Sequence, residues 1–380
     1  MTPANETELA EAVKSASGPL AIRGGGTRTV GRASDAQVLS VSEMSAISLY
    51  EPGALTLVAE AGTPVEEIET ALSAENQMLA FEPMDHRPLL GTEGRPTIGG
   101  VVAANVSGPR RVQAGACRDF LLGVRFVDGA GSVVKNGGRV MKNVTGYDLA
   151  KLMAGSRGTL GVLTEVSLKV LPRPDTAAAV LLTGLSNKDA VRAMSEAMKS
   201  PFEVTGAAHV PVGLNGDPVT MIRIEGFEES VAYRAEQLAN LLKAFGNVEV
   251  ERRTGADGGY GTDTGWRWVR DAEMFAGTDD DVWRISVKPT DAPEVADALG
   301  DARLLFDWAG GLIWAGVPPG TDARPALSGR EGHATLVRGS EETKSRLGVF
   351  QPESAPLAAL ADGLRKQFDP RGILNPGLMA

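Results

Sequence analysis

Three glycine-rich turns constrain this chain more than any other feature of its sequence. They lie at residues 23–28 (RGGGTR), 91–108 (GTEGRPTIGGVVAANVSG) and 155–161 (GSRGTLG). Each turn adjoins a predicted strand, and glycine there lets the backbone approach a flat or anionic ligand because no Cβ intervenes. None has the GxGxxG spacing of a Rossmann unit or the GKS/T ending of a P-loop. Together they predict a cofactor pocket, whereas singly they also fit a flexible hairpin or tight helix packing.

Length and charge narrow the class of protein. At 380 residues the chain suits two domains, or one domain with a large insertion. The net charge of -10 argues against nucleic acid, whose affinity comes from basic residues that neutralise phosphates. No apolar run approaches the ~20 residues that span a bilayer. The acidic N-terminus does not resemble a signal peptide, so a cytoplasmic location is predicted.

Cysteine and histidine usage excludes two kinds of centre. Cys117 is the single cysteine, so the chain forms no intrachain disulfide and cannot supply the thiolates of an iron–sulfur cluster. The histidines, His86, His209 and His333, are far apart and show no HxH or HExxH spacing. We therefore expect no metal site, and an organic electron carrier if the chain does redox chemistry.

The first 173 residues are predicted to alternate strands with short helices. A helix over 5–16 begins with Asn5 and Glu8 at the spacing of a capping box. A helix over 64–74 is predicted to be capped by Thr63, with Glu66 completing a second capping box. Strands are expected over 20–22, 37–41 and 55–60, with a hairpin at 120–127 and 132–135. A half-buried strand is predicted after the third turn, because apolar and polar residues alternate over 162–170.

The second half has a different pattern, beyond a boundary at Pro172-Arg-Pro174. Strand and helix periodicities over 180–252 run in the order βαββαβ, the ferredoxin-like unit. A similar order recurs over 282–337, with a predicted second helix at 322–327. The overall prediction is an α+β chain whose second domain has an antiparallel sheet with helices on one face.

Two further segments suggest binding. In 255–276, Trp266, Arg267, Trp268 and Arg270 could frame a ring and bind a carboxylate by stacking and bidentate hydrogen bonds. The alternative is a surface helix anchored by an apolar tryptophan, which is the more common arrangement. A helix over 356–368 leads into a turn-rich tail, whose Ile373 and Leu374 favour docking over fraying.

Five motifs carry a family resemblance: IRGGGT at 22–27, PTIGG at 96–100, KNVTGYDLAKL at 142–152, GTLGVLTEVSLKVLP at 158–172 and FDPRGILNPG at 368–377. Together they resemble the vanillyl-alcohol-oxidase, or PCMH-type, family of FAD-linked oxidoreductases. The resemblance is most specific over 17–173. Within the family, the chain is most similar to the FAD-binding subunits of bacterial glycolate oxidases. The resemblance implies a two-part FAD-binding domain at 1–173, a cap domain at 174–352 and a segment at 353–380 that docks on the FAD-binding domain.

The resemblance also implies which residues bind FAD. The pyrophosphate would be held at the first turn, and the other positions would line the pocket towards the flavin and the adenine-ribose side. A histidine that links FAD covalently in some members is replaced here by Gly26-Thr27-Arg28, so noncovalent FAD is predicted. The implied cofactor residues are Arg23, Gly24, Gly25, Gly26, Thr27, Arg28, Pro83, Thr97, Gly99, Gly100, Asn105, Gly108, Gly158, Thr159, Gly161, Val162 and Asn375.

One departure from the family limits the expected activity. Members that oxidise 2-hydroxy acids themselves carry a HxGDGNxH-like stretch in the cap, and this sequence has none. Arg267, Arg270 and His333 are the remaining weak candidates for catalysis. The resemblance therefore implies an accessory or electron-transfer subunit for glycolate oxidation, cytoplasmic or membrane-associated through its partners. Those partners would be a catalytic FAD subunit and an iron–sulfur subunit. A self-sufficient 2-hydroxy-acid dehydrogenase and a flavin-free assembly subunit are the alternatives.

Overall fold

The chain forms two compact units in a computed structural model that describes residues 1–31, 35–139, 146–252 and 262–379. Unit 1 comprises Met1–Ser107, Ala116–Arg173 and Pro352–Ala380, and unit 2 comprises Gly108–Gly115 and Pro174–Gln351. The predicted domain division stays a prediction. The start of the KNVTGYDLAKL motif and most of the loop before residue 262 lie outside the described residues.

The helices and strands have the following bounds. The described α-helices are α1 Glu6–Ser15, α2 Val65–Ala74, α3 Arg87–Leu90, α4 Ile98–Ala103, α5 Arg111–Ala114, α6 Cys117–Phe120, α7 Leu149–Met153, α8 Asn187–Lys199, α9 Glu228–Leu242, α10 Thr262–Arg270, α11 Ala292–Ala298, α12 Glu341–Leu347 and α13 Ala355–Phe368. The described strands are β1 Leu20–Arg23, β2 Gln37–Ser40, β3 Ile47–Glu51, β4 Thr56–Glu60, β5 Gln77–Met78, β6 Leu121–Val127, β7 Val133–Gly137, β8 Val162–Lys169, β9 Leu171–Pro172, β10 Thr176–Thr183, β11 Val204–Val210, β12 Val219–Gly226, β13 Val248–Glu251, β14 Asp281–Val287, β15 Arg303–Asp307, β16 Leu312–Val317 and β17 Gly332–Arg338.

A five-stranded antiparallel sheet in the order β3-β4-β8-β6-β7 forms the centre of unit 1. The predicted hairpin is confirmed as β6 and β7, whose turn is closed by Asp128 Oδ1 accepting from the amides of Ala130 and Ser132. The prediction of a half-buried β8 is wrong, because that strand is central and even its Ser167 is buried. Sequence alternation alone does not distinguish a covered face from a solvated one.

Helix caps in unit 1 show one confirmed prediction and one wrong prediction. At α1, Asn5 Oδ1 accepts from the Glu8 amide while the Glu8 carboxylate accepts from Asn5 Nδ2, and the helix buries Leu9 and Val13. At α2 the N-cap residue is Pro64, and it makes no side-chain cap. The Thr63 hydroxyl instead donates to the Ala46 carbonyl, because a tertiary hydrogen bond competes for it.

Unit 2 is a single eight-stranded sheet in the order β13-β10-β12-β11-β15-β16-β14-β17. Strands β10 to β13 and helices α8 and α9 follow the predicted βαββαβ order. Strands β14 to β17 form a second copy, whose strands lie in the reverse spatial order in the sheet. The two copies meet where His209 on β11 pairs with Phe306 on β15. The second helix of the second copy is only a short 3-10 turn, Arg324–Leu327. The antiparallel α+β prediction is confirmed.

The two faces of this sheet have different chemistry. On one face alternate strand residues such as Val180, Ile222 and Ile285 pack in a hydrophobic core that includes residues of α8, α9 and α11. The intervening residues, such as Arg223 and Arg284, point to the opposite face because side chains alternate along a strand. Charged groups therefore collect on that second face.

The C-terminal segment packs within unit 1 as predicted. Leu374 pairs in parallel with Leu20 of β1, and Ile373 and Leu374 are buried. The amides of Leu20 and Asn375 donate to the carbonyls of Ile373 and Leu20 at 2.7 and 2.9 Å. Among the described residues, no helix is long and apolar enough to cross a membrane.

Candidate functional site

The first glycine turn is shaped by the close approach of the segment 94–97. A Cβ on Gly24 would lie 2.3 Å from Oγ1 of Thr97, and a Cβ on Gly25 would lie 1.7 Å from the carbonyl oxygen of Arg95. Real Cβ atoms do not come so close, so both positions require glycine. Gly26 has φ +70°, the left-handed region that glycine adopts without strain, and faces open space apart from the Arg23 side chain. The turn is therefore a rigid backbone cradle.

Arg28 leads from this cradle into the interior of unit 1. Its Nε donates to Nδ1 of His86 at 3.2 Å, and one of its terminal nitrogens lies 3.3 Å from where a Cβ of Gly100 would stand. Burial lowers the pKa of Arg28 to about 10, Asp85 opposes that shift, and Arg157 adds to it. At neutral pH Arg28 is still a cation, held in place by a histidine.

Arg157 is a second cation of unit 1; like Arg28 it is half-buried, and it lies in the third glycine turn. Burial lowers its pKa to about 10, and its charge acts on Arg28. Its backbone has φ +53°, and its amide donates to the Ala103 carbonyl at 2.8 Å. Two positive groups therefore lie close enough to repel each other inside one unit, an arrangement that an anion would stabilise.

Asn375 joins three segments at this place. Its Oδ1 accepts from the amide of Ile22 at 2.7 Å, and its Nδ2 donates to the carbonyl of Arg157 at 2.8 Å. A Cβ on Gly158 would lie 2.9 Å from Nδ2 of Asn375. The end of β1, the third turn and the C-terminal segment are thus fixed by one side chain, as a predicted pocket residue would require.

Other implied cofactor residues in the third turn have packing contacts. A Cβ on Gly161 would lie 2.6 Å from the ring of Phe126, so this glycine makes room for a core side chain. Val162 is buried and pairs with Val127. The Thr159 hydroxyl donates to the Ser156 carbonyl at 2.7 Å. These three residues therefore fix the shape of the third turn through their contacts within unit 1.

In the second turn, too, some residues make packing or capping contacts and one faces a cation. Thr97 caps α4, and its hydroxyl accepts from the Gly100 amide at 3.4 Å. Gly99 packs against Ala61, where a Cβ would come within 2.6 Å, while Gly100 faces Arg28. Asn105 has φ +49°, and its Oδ1 accepts from the Arg118 amide. Within this turn, Gly100 is therefore the glycine that faces the guanidinium group of Arg28.

Four more predicted positions differ in placement. Arg23 is exposed, whereas Thr27 and Pro83 are buried in unit 1. Gly108 belongs to unit 2, where its carbonyl accepts from the indole of Trp308 at 3.1 Å. Cys117 is fully buried and its pKa is raised to about 12 by that burial, so the thiol stays protonated at neutral pH.

The candidates for catalysis do not form one cluster. Arg267 is exposed, and Arg270 donates through Nε and a terminal nitrogen to Asp271 at 2.8 and 2.7 Å. Trp266 is buried against Gly206 and contacts Arg223, at 4.8 Å from the guanidinium carbon to the ring centre, as an anchoring tryptophan would. His333 lies elsewhere, on β17, where burial and the charges of Arg284 and Arg111 lower its pKa.

His209 has a structural role. It is fully buried, and its ring nitrogens contact Oγ1 of Thr220 at 2.9 Å and Oδ1 of Asn187 at 3.2 Å. Burial lowers its pKa to about 4, so the imidazole is neutral at physiological pH.

The residues of unit 1 fit FAD. Its pyrophosphate carries two negative charges, which match the two guanidinium groups of Arg28 and Arg157, and the turn at 24–26 offers backbone amides without Cβ atoms. Sequence reasoning named Arg28 but missed Arg157 and His86. Arg157 lies in the third glycine-rich turn, but its charge predicted a solvent-exposed side chain, and nothing local links His86 to Arg28 across 58 residues.

Comparisons with known proteins agree with this geometry. A family model described as FAD binding domain matches residues 1–137. Glycolate oxidase subunit GlcE of Escherichia coli is 37% identical over 364 residues, which cover 95% of this chain and 92% of that protein. Glycolate oxidase subunit GlcD of Bacillus subtilis is 28% identical over 57% of this chain and 42% of its own length.

Solved structures share the fold. 4-Ethylphenol oxidase from Gulosibacter chungangensis has a TM-score of 0.70 and 14% identity, and covers 100% of this chain and 88% of its own. An alkyldihydroxyacetonephosphate synthase has a TM-score of 0.68 and 16% identity, with 99% and 76% covered. At such low identities these two likenesses concern the fold alone. The GlcE match, together with the family model, shows that the chain belongs to the PCMH-type family of FAD-linked oxidoreductases and that FAD is its cofactor.

Proposed function

We propose that this chain is the FAD-carrying accessory subunit of a complex that oxidises glycolate to glyoxylate. Its partners would be a catalytic FAD subunit and an iron–sulfur subunit, and it would pass electrons between them without oxidising glycolate by itself. The similarity to GlcE along nearly the whole of both chains supports this proposal. Bound FAD supplies a two-electron acceptor, which the single cysteine of this chain could not replace.

The accessory role is supported by the placement of the three histidines, none of which lies in a recognisable catalytic arrangement. Oxidation of a 2-hydroxy acid needs a base within hydrogen-bond reach of the hydroxyl group. His209 is buried on the core side of its sheet, His86 accepts from Arg28, and the HxGDGNxH-like stretch is absent. His333 remains, beside two arginines that disfavour its protonated form. A base set in a recognisable catalytic arrangement is therefore missing from the described residues.

The residues of unit 1 would hold FAD noncovalently. Arg28 and Arg157 would bind the pyrophosphate, His86 would keep Arg28 in position, and Asn375 would keep the two glycine turns together. The backbone amides of Gly24 to Gly26 would donate to phosphate oxygens. No histidine follows the loop glycines to form a covalent link.

The experiment compares the purified chain alone with the chain plus its partners. Alone, it should show a flavin spectrum near one FAD per chain but little glycolate-dependent dye reduction. Adding the partner subunits should restore turnover. Acid precipitation should release the flavin into the supernatant if it is noncovalent. Rapid turnover by the chain alone would contradict the accessory role, and a colourless protein that refuses added FAD would select the assembly subunit.

A self-sufficient 2-hydroxy-acid dehydrogenase is the second candidate, favoured by the two arginines beside His333. In that case one hydroxy acid would bleach the flavin anaerobically in the absence of partners. The bleaching would be lost in Arg284→Gln and kept in Arg270→Ala, since Arg270 is bound to Asp271. Loss in Arg270→Ala instead would favour the interpretation made from the sequence.

A further inference from the structure

One helix of unit 2 exposes two aromatic rings to solvent. Helix α9 packs on the sheet through Val231, Ala235 and Leu238, which are buried in the core. On its other side, the N-cap residue Phe227 is 75% exposed and Tyr233 is 62% exposed. Large aromatic side chains stabilise a fold when they are buried, so two exposed rings on one helix mark a surface that other molecules contact.

The two rings belong to one row along the outward side of α9. Four exposed residues follow one another there at intervals of three: Phe227, Ser230, Tyr233 and Glu236. Residues three apart are neighbours on a helix surface, so these side chains form a ridge. Glu229 lies four residues before Tyr233 and therefore also beside it. We call Phe227, Glu229, Tyr233 and Glu236 the α9 ridge.

The single arginine of α9 points towards the inside of unit 2. Arg234 is buried, and its guanidinium group donates to the carbonyls of Glu225 and Phe202 at 2.7 and 3.0 Å. Its Nε donates to the hydroxyl of Ser230 at 3.1 Å. These bonds fix α9 on the sheet, so the α9 ridge is a preformed surface.

The acidic residues of α9 differ from those of other helices in having no ion pairs. Helices α1, α8, α12 and α13 each pair an acidic residue with a lysine or arginine three positions along. Among the residues that the structure describes, Glu228, Glu229 and Glu236 form no salt bridge. Arg252 also reaches α9, where it donates to the Ala232 carbonyl at 3.2 Å. With one cation against three carboxylates, this surface is negative.

Helix stability accounts for only part of this pattern. Glu228 and Glu229 lie in the first turn, where they favourably face the positive end of the helix dipole. Glu236 lies beyond the first turn, so the dipole does not explain its position. Neither does the dipole explain why Phe227 and Tyr233 are exposed beside these carboxylates. A surface of aromatic rings and unpaired carboxylates is, however, suited to a partner that carries arginines.

We propose that the α9 ridge docks a basic, arginine-bearing surface of another subunit of the complex. An arginine can stack on Tyr233 and bind the carboxylate of Glu229 or Glu236 at the same time. Tyrosine and arginine are also the residues on which the affinity of an interface most often depends. The existence of that subunit rests on the proposed function, whereas the charge of the occupant follows from the ridge.

Charge argues against three other occupants. A second copy of this chain would bring its own α9 ridge and a net charge of -10, so like charges would repel. An anionic lipid surface and the phosphates of nucleic acid would be repelled for the same reason. A positively charged protein surface is the occupant that charge complementarity favours.

The carboxylates and the aromatic ring should affect different rate constants. Charges at the rim of an interface mainly set the association rate and its salt dependence, whereas a desolvated aromatic anchor mainly sets the dissociation rate. Glu229→Gln combined with Glu236→Gln should slow association about tenfold at low salt and weaken its salt dependence. Tyr233→Ala should raise the dissociation rate at least about tenfold. A merely structural role of these residues would produce neither effect.

The test is surface plasmon resonance, with the purified, flavin-bound chain immobilised and the purified partner subunits in solution at several salt concentrations. Glu11→Gln combined with Glu196→Gln is the charge control, because these residues pair with lysines on α1 and α8. Tyr147→Ala is the aromatic control, since Tyr147 is an exposed tyrosine of unit 1. Both controls should keep the wild-type rate constants. Thermal melting should be the same for all variants, because the substituted side chains are exposed.

The outcomes separate this proposal from the proposed function. Wild-type rate constants in every ridge variant, or equal weakening in the controls, would overturn the docking surface and leave the proposed function intact. No partner binding by the wild-type chain would overturn both. Self-association in analytical ultracentrifugation that Tyr233→Ala abolishes would make a second copy the occupant and contradict the proposal. Glycolate turnover by the chain alone, with partner binding through the ridge, would contradict the accessory role and keep the surface.

Discussion

The two units build their polar sites from different parts of the chain. In unit 1 the first turn of the candidate FAD site is made of backbone, because Gly24 and Gly25 touch the segment 95–97 where no side chain would fit, and the side chains of Arg28 and Arg157 add charge to it. In unit 2 the charged face is made of side chains such as Arg223 and Glu225 on β12 and Arg284 on β14, which is several strands away in the same sheet. A backbone site demands glycine at fixed positions and so leaves a motif. A side-chain site on a sheet leaves scattered charges.

Gly25→Val should have the largest effect of the predicted changes, because it should disrupt the FAD site of unit 1 and leave the fold of unit 2 unchanged. The new side chain would begin 1.7 Å from the Arg95 carbonyl oxygen, so the cradle would have to move. We expect loss of bound FAD and a destabilisation of about 3 kcal/mol or more. Flavin absorbance and thermal melting measure the two effects.

Gly53→Val is the control for that change, because a Cβ on Gly53 meets nothing within 4 Å. The control should stay yellow and lose little stability. A Gly25→Val protein with wild-type flavin content would contradict the backbone account of the site.

Mild acid should weaken unit 2 through His209. Its pKa is 6.5 when unfolded and about 4 when folded, since burial disfavours the charged ring. The contribution of the neutral histidine is full above the unfolded pKa and is lost as pH falls through the folded value. The loss amounts to about 3 kcal/mol. Urea unfolding between neutral pH and pH values near the folded pKa measures it, and His209→Gln should lack this part of the decline; parallel curves for the two proteins would refute the assignment.

Arg157→Gln tests how much a charged side chain adds to the backbone turn in unit 1, and its expected effect is the smallest of the three. Removing one of two half-buried cations should weaken FAD binding about tenfold, or about 1.4 kcal/mol. Arg23→Gln should change affinity less, because Arg23 is exposed although it flanks the first turn. Fluorescence titration of the apoprotein with FAD gives both constants. A larger loss in Arg23→Gln would mean that the exposed arginine, rather than Arg157, holds the pyrophosphate.

Local patterns were enough to predict most elements and their order along the chain in unit 2, but not that both runs join in one eight-stranded sheet. The capping box of α1 needed only Asn5 and Glu8. The prediction for Thr63 failed because its hydroxyl found the Ala46 carbonyl, a partner set by the sheet. Strand β3, absent from the predictions, is a five-residue edge strand without a fully buried residue, and so short a run gives a weak signal in the sequence.

The candidate site was predictable to the extent that it is built from glycine. The motifs identified the turns but not which glycine does what. Gly161 serves the ring of Phe126, and Gly100 faces Arg28. Arg111 and Arg284 are separated by 173 positions in the sequence and both contact the ring of Trp308, whose left-handed backbone no propensity indicates. Contacts of this kind depend on tertiary structure and leave no local trace.

The bond between Asn375 and Ile22 has a consequence for the order of events during biosynthesis. The two residues lie 353 positions apart, so the ribosome must make both units before the Ile22 amide can meet its partner. A nascent chain that already carries all three glycine turns therefore still lacks the side chain that fixes them. Under the proposed FAD site we therefore expect the chain to capture flavin only after Asn375 has been made, and a chain interrupted before that residue to stay colourless.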